Sequence, residues 1–345
     1  MSPVASNRQG IGSIDLPGPR SVSEAAERIR PYVVRTPLVH SPAFSELLGF
    51  PVWLKLENLQ VTGAFKIRGA TNALLILKRR GVGHVVTASS GSHAMGVALA
   101  ARRLGLRATV VMAETSPEVK RRKVVDYGAE LVVEGRGFDD SYRRAAALAR
   151  DLEAPLVSGI DDETVMAGQG TMAMEILEDL PRVDFVAVPV GGGGAIGGVL
   201  AAVRAGVPGG HEGERGGAGN PRVWGVQAEG APSMKVSLEK GEPTLLEAID
   251  TIADAIAVRR PGLRPFEMVR RYADGVVTVP DRDMLRAAGR LALWAKVVAE
   301  PASAAPLAVR WDELLPAKPK AAAFIVTGGN IPPDLLLEGI ALALH

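Results

Sequence analysis

Apolar positions along this chain fall into two alternating rhythms. Short, nearly continuous apolar runs have the length and β-branched content of buried strands. They are HVVTAS (84–89), RATVVMA (107–113), AELVVE (129–134), DFVAVPV (184–190), RVWGVQAE (222–229), VVTVP (276–280) and AAFIVTGG (322–329). VWLKLE (52–57) alternates instead, as a strand with two different faces does. Between these runs the apolar residues recur every three or four positions. That spacing predicts helices from a cap at Ser21 or Ser23 to Ile29, and over 69–80, 93–105, 117–127, 139–152, 168–179, 195–206, 281–298 and 302–310. Gly105 is placed to stop the helix before it, and Pro31 to close the first one. Strand and helix in regular alternation argue for an α/β fold, a parallel sheet with helices on both faces.

Two stretches break the rhythm. Residues 1–20 are rich in Gly, Pro and Ser and are expected to be disordered. GVPGGHEGERGGAGNP (206–221) reads as a glycine-rich loop, and its His211, Glu212 and Glu214 as solvated residues rather than a metal cluster.

Composition narrows the function classes. With 345 residues the chain can form one large or two modest domains. A net charge of +2, with both signs interspersed, gives no field for nucleic acid or a membrane surface. The absence of cysteine removes disulfides, thiolate metal sites and a cysteine nucleophile, and fits a reducing cytoplasm. No apolar stretch has signal-peptide or membrane-span character, so a cytoplasmic protein is expected. The KRRK run (120–123) reads as a solvated helix face.

Four short segments carry candidate chemistry. In TGAFKIRGATNA (62–73), Lys66 follows Phe65 at a turn into a helix, among apolar neighbours. Desolvation there would lower its pKa and leave the neutral amine that forms a Schiff base; a snorkelling surface lysine is the alternative. In PVGGGGAIGG (189–198), Gly191, Gly192, Gly193 and Gly194 lie between a strand and a helix and can turn several N–H groups on one anion. The same run satisfies the dinucleotide fingerprint, so a nicotinamide oxidoreductase is a competing reading. TASSGSHAMG (87–96) offers free N–H groups and the hydroxyls of Ser89, Ser90 and Ser92 to a carboxylate. In VTGGN (326–330), Thr327 stands at the carboxyl end of a strand, where such sheets bind ligands.

In this order, these segments together with KLENLQVTGAFKIRGA (55–70), AGQGTMAMEI (167–176), GVQAEGAPSM (225–234) and AEPAS (299–303) resemble the threonine dehydratase and serine racemase family of fold-type II pyridoxal 5'-phosphate (PLP) enzymes, over about residues 22–335. The resemblance implies two open twisted parallel-sheet domains with the cofactor in the cleft between them. The large one would comprise 21–81 plus 160–345 and the small, mobile one 82–159. It implies that Lys66 binds PLP and moves the α-proton, that Phe65 and Ser92 contact the cofactor, and that Gly191 to Gly194 hold its phosphate. Thr327 would face the pyridine nitrogen. Ser89, Ser90, Gly91, Ser92 and His93 would receive the substrate, with Ser90 a second catalytic candidate. The implied reaction is α,β-elimination from L-threonine, L-serine or a related β-hydroxy amino acid, by a homo-oligomer such as a dimer or tetramer. With the chain ending at His345, the regulatory domain of some relatives is not expected.

Departures from the family pattern keep other readings open. Ser92 replaces a usual Asn, Ala64 a Ser, Met95 a Gln, Ala255 and Ala304 glycines, and Ile160 an aromatic or Asn. A pathway-specific elimination or replacement on an unusual substrate, or a non-catalytic homologue, is compatible with them. Ser90 matches racemases, which use a serine there as the acid opposite the lysine. Gln227, Ala231 and Ser233 stand where some racemase relatives place metal-binding acids, so no metal is expected there.

Overall fold

A computed structural model of the chain describes residues 14–203 and 220–345. Most of the N-terminal segment and the glycine-rich loop with His211, Glu212 and Glu214 lie outside these residues. The elements in chain order are α1 (Pro19–Ile29), β1 (Leu38–His40), α2 (Pro42–Leu48), β2 (Val52–Leu56), α3 (Lys66–Arg79), β3 (His84–Ala88), α4 (Ser92–Leu104), β4 (Arg107–Met112), α5 (Glu118–Asp126), β5 (Glu130–Val133), α6 (Phe138–Asp151) and α7 (Glu163–Asp179). Then follow β6 (Phe185–Pro189), α8 (Gly194–Val203), β7 (Arg222–Ala228), α9 (Ser233–Lys240), α10 (Leu263–Tyr272), β8 (Gly275–Val279), α11 (Asp281–Arg290), α12 (Pro301–Ala304), α13 (Trp311–Leu314), β9 (Ala322–Val326) and α14 (Pro333–Ala343).

Among the described residues two sheets form, in the orders β1-β2-β9-β6-β7-β8 and β3-β4-β5. All pairings are parallel except the edge pair of β1 with β2. The central strands β6 and β9 are buried at every position, the condition of a parallel strand covered on both faces. The smaller sheet gains a bridge from Leu156 to Val86, so the segment after α6 runs back along β3. This is the expected α/β class, with an antiparallel edge that the pattern did not reveal.

Glycines set how closely the helices meet. A Cβ on Gly69 of α3 would stand 2.5 Å from Val165 O of α7, and one on Gly168 of α7 2.6 Å from Gly69 Cα. On the other side of α7, a Cβ on Gly198 of α8 would stand 2.3 Å from Met166 O. Backbone contact at both crossings ties α3 to α8 through α7, and so fixes the lysine turn relative to the glycine turn.

Several boundaries differ from the periodicity. Ser21 is not the cap of α1; the helix starts at Pro19, and Ser21 Oγ accepts from Gly18 N at 3.0 Å. The helix of Lys66 begins at Lys66 itself rather than at 69, because Phe65 N donates to Thr327 O (3.0 Å), a tertiary bond that substitutes for a side-chain cap. The stretch 281–298 is not one helix: α11 ends at Arg290, a π turn covers Leu291–Ala295, and Lys296 at φ 59° leaves the helical path. The stretch 302–310 is likewise shorter, α12 followed by a 3₁₀ turn over Ala305–Ala308. KRRK is not a solvated face: Lys120, Arg121 and Lys123 are half-buried and bonded, and only Arg122 is exposed.

Candidate active site

Lys66 opens α3, flanked by the buried Phe65, whose ring centroid lies 4.9 Å from Lys66 Nζ. Among the described residues its amine makes one hydrogen bond, to Gly159 O at 3.3 Å. Burial pushes its pKa down to about 8, against the upward pull of Glu300. A substantial neutral fraction is therefore present near physiological pH, which a nucleophilic or basic amine needs.

The glycine turn follows β6 and opens α8. None of the N–H groups of Gly191 to Gly194 donates to another described residue. Free N–H groups at a helix N-terminus form a cradle for an anion. The turn admits only glycine where walls close in. A Cβ on Gly192 would stand 2.4 Å from Ile160 Cγ2, and Gly193 has φ +95° with Pro265 Cβ 2.6 Å from its missing side chain. Ile160, which stands where the family pattern has an aromatic or Asn, packs on the anion loop.

The serine turn follows β3 and opens α4. Ser89 N donates to Val111 O (3.2 Å) and Ser89 Oγ accepts from Gly91 N (3.2 Å). The N–H groups of Ser90, Ser92 and His93 donate to no described residue. Ser116 Oγ donates to Ser90 Oγ at 2.8 Å, so the Ser90 hydroxyl keeps its own proton for another acceptor. Ser89, Ser90, Gly91 and Ser92 are half-exposed. The His93 imidazole is different: it is buried, with Nε2 3.3 Å from Val157 O and Nδ1 without a described partner. Burial and the neighbouring Lys66 push its pKa down to about 3, so the ring is neutral. Its N–H can meet a substrate, whereas its side chain packs beneath the loop.

One segment joins the three turns. Gly159 accepts from Lys66, a Cβ on it would stand 2.6 Å from His93 Cγ, and its carbonyl lies 3.4 Å from the place of a Cβ on Gly194. Asp162 anchors this segment by capping α7, accepting from Thr164 N and Val165 N. A fourth side is built by the loop after β9. Thr327 is buried, its Oγ1 2.9 Å from Ser303 Oγ, which also accepts from Gly328 N at 2.7 Å. Ala64 bridges Gly328, and Glu300 Oε1 lies 2.6 Å from where a Cβ on Gly328 would stand. Burial pushes the Glu300 carboxyl up to about 7; Lys120, a hydrogen bond from Ser303 and Lys66 pull it down, and Asp254 adds to the rise.

Behind α3 lies a buried ion cluster. Arg68, two residues after Lys66, donates to Glu57 (2.8 Å) and Glu175 (2.6 Å), and Lys55 donates to Glu175 at 2.5 Å. Burial alone would weaken the charge on Arg68, but Glu57 and Glu175 hold its pKa above the ordinary value. The cluster locks the start of α3, and with it Lys66, to β2 and α7.

The structure thus brings together Phe65, Lys66, Gly191 to Gly194 and Thr327, with the Ser89–His93 turn linked to them through Gly159. Three site features are new relative to the sequence reading: the Gly159–Ile160 junction, Ser303 as partner of Thr327, and Glu300. Glu300 and Ser303 both lie in AEPAS, a segment read as a family marker without a role. Gln227 is buried, its Oε1 accepting from Lys235 N at 3.0 Å, and it has no acidic companion at Ala231 or Ser233. The residues fit a phosphorylated aldehyde on a ring: an unpaired amine for the aldehyde, a glycine-only cradle of free N–H groups for the phosphate, and a buried hydroxyl pair at Ser303–Thr327 for a ring heteroatom.

The comparisons with known proteins agree with this geometry. Residues 29–328 match the family described as pyridoxal-phosphate dependent enzyme. The chain is 41% identical over 311 residues to an L-threonine ammonia-lyase of Geobacter sulfurreducens, covering 90% of this chain and 75% of that protein. It superimposes on a crystal structure of T.th. threonine deaminase with a TM-score of 0.83 and 37% identity, over 92% of this chain and 99% of that one. Against maize serine racemase the TM-score is 0.86 at 31% identity, over 96% and 98% of the two chains.

Proposed function

The chain belongs to the family of pyridoxal-phosphate-dependent enzymes, and from that premise we propose that it is an ammonia-lyase for L-threonine, L-serine or a related β-hydroxy amino acid. The observation that carries this reading is the Lys66 amine, brought to about 8 and hydrogen-bonded only to a carbonyl among the described residues, in a site with an anion cradle on one side and a half-exposed serine turn on the other. The threonine ammonia-lyase names of its relatives point the same way. The nicotinamide reading of the glycine run leaves Lys66 without a role.

Bound PLP supplies the electron sink that makes the α-proton of an amino acid labile. The chain supplies the rest. Phe65, Ser92, Gly191 to Gly194 and Thr327 would bind the cofactor, and Lys66 Nζ would hold it before substrate arrives. N–H groups of Ser90, Ser92 and His93 orient the substrate carboxylate, which fixes the α-proton relative to Lys66. Lys66 Nζ, as free amine, takes that proton. Elimination expels the β-hydroxyl as water, one water is taken up again when the released enamine is hydrolysed, and the net products are a 2-oxo acid and ammonia. The neutral His93 beneath the loop adds no competing positive charge beside the amine.

A specific observation keeps racemisation as a second activity: Ser90 Oγ accepts from Ser116 and retains its own proton, the arrangement of a hydroxyl acid. One panel tests both readings. L-threonine, L-serine and other β-hydroxy amino acids are incubated with the PLP-loaded protein, 2-oxo acid and ammonia are quantified, and residual amino acid is resolved on a chiral column. Equimolar 2-oxo acid and ammonia supports the lyase; no release from any member contradicts it; D-amino acid that vanishes in S90A assigns the second activity.

We further propose a cytoplasmic homo-oligomer. No described helix is long and apolar enough to cross a membrane. The exposed apolar residues Val39, Leu59, Trp294 and Val298 surround one groove of about 620 Å³, which suits self-association.

A further inference from the structure

Helix α5, which carries KRRK, belongs to the three-stranded sheet layer, yet two of its lysines end on loops of the larger sheet. Lys120 Nζ lies 2.8 Å from Asp254 Oδ2, and Lys123 Nζ donates to Asn330 Oδ1 at 3.3 Å. A third contact from the same layer, Asp139 with Arg259 at 3.2 Å, lies farther along. Both lysine anchors belong to loops already in the site. Asp254 lies two residues before Ile256, whose Cα is 2.9 Å from the place of a Cβ on Gly191 in the anion loop. Asn330 Nδ2 donates to Thr62 O at 3.1 Å in the turn that leads to Lys66, and Asn330 follows Gly328, which packs on Glu300 Oε1. The helix therefore spans the two walls between which Lys66 and Glu300 lie.

From this geometry, and on the reading of the cleft proposed above, we infer that Lys120 is a positioning residue: latched on Asp254 across the cleft, it sets the charge carried by Glu300 beside Lys66. Among the described residues, the groups that act on the Glu300 carboxyl come from four elements. They are Lys66 from α3, Lys120 from α5, Asp254 from the 3₁₀ turn Asp254–Ile256, and the Ser303 hydroxyl from α12. Burial drives the carboxyl toward its neutral form, and among these charges Lys120 is the strongest that opposes burial. Withdrawing Lys120 would leave Glu300 protonated to higher pH. An ionised Glu300 raises the pKa of Lys66, so a neutral one lets the Lys66 amine give up its proton more readily.

The test is an infrared titration of the protonated-carboxyl stretch of Glu300, identified by its absence in E300Q, on the purified protein with PLP added. K120M is expected to move the midpoint upward by about one pH unit, the scale of a nearby charge. K120R, which keeps the cation, is expected to leave it in place. A K120M midpoint equal to that of the unaltered protein overturns the inference, as does a K120R midpoint displaced as far as that of K120M. The measurement needs no turnover. A protein that released no 2-oxo acid from any amino acid would contradict the proposed function and leave this result standing.

Discussion

The two faces of α3 treat buried charge in opposite ways. On the inner face Arg68 meets Glu57 and Glu175, and Lys55 meets Glu175 and the carbonyl of Thr36, so every ion has a partner at hydrogen-bond distance. On the other face, among the described residues, Lys66 has only the carbonyl of Gly159 in hydrogen-bond reach, and Glu300 acts on it from farther off. Burial lowers both lysines; at Lys55 the adjacent Glu175 and Glu57 offset part of it, whereas Lys66, with only the more distant Glu300 to oppose burial, is brought to about 8. Paired charge makes a rigid support, and charge left without a partner makes a reactive group. The fold places them two residues apart on one helix, so the support holds the reactive amine in register.

The comparison is broken most severely by removing either side. K66A should reduce 2-oxo acid release by at least about 10³-fold, the upper range for loss of a positioned base, while thermal unfolding changes little because no ionic partner is orphaned. R68M should do the reverse. It leaves Glu57 and Glu175 buried without their cation, a loss of about 3–5 kcal/mol in a denaturant titration. Activity per folded molecule should fall far less than in K66A. Equal stability losses in the two variants would erase the distinction between the faces.

A smaller effect sharpens the cleft side. In G192A the added Cβ would lie 2.4 Å from Ile160 Cγ2, so the anion loop must shift, at about 1–3 kcal/mol. PLP affinity, read by equilibrium titration of its absorbance, should drop about tenfold or more. The paired variant G192A/I160A should recover part of it, since the clash is with that one side chain.

A further effect is on pH-dependent stability. The Glu300 carboxyl is raised from 4.5 to about 7, so between those values the folded protein holds a proton that the unfolded chain has released. The stability it contributes is fully present below 4.5 and is lost as pH rises toward 7. His93, lowered from 6.5 to about 3, acts oppositely: stability is lost as pH falls through that window. E300Q, measured against the unaltered protein, should therefore gain relative stability from pH 4.5 to 7. A difference that is constant across this range would contradict the assignment of Glu300 as a buried acid.

The α/β class and the ordered turns were legible because they rest on local signals: apolar runs, glycine clusters, and small residues between strand and helix. What escaped is tertiary. AEPAS named Glu300 and Ser303 as residues, but their proximity to Lys66 and Thr327 depends on a loop packing against Gly328 from elsewhere in the chain. Lys55, Glu57 and Arg68 stood in plain view inside apolar stretches, yet their pairing needs Glu175 more than a hundred positions away. KRRK read as a solvated face because a run of like charge has no local partner; Asp254 and Asn330 arrive only through the fold. The apolar period through LALWAKVV continued the helix of α11 on paper, whereas a π turn and Lys296 at φ 59° end it.

The account stands on which lysine carries the cofactor. The direct measurement is reduction of the PLP-loaded protein with borohydride, followed by peptide mapping by mass spectrometry. The phosphopyridoxyl adduct is predicted on the peptide containing Lys66, at one equivalent per chain, with the visible absorption lost on reduction. Lys55, fully buried and paired with Glu175, should remain unmodified. An adduct on Lys55 or another lysine, or none at saturating PLP, would contradict the account.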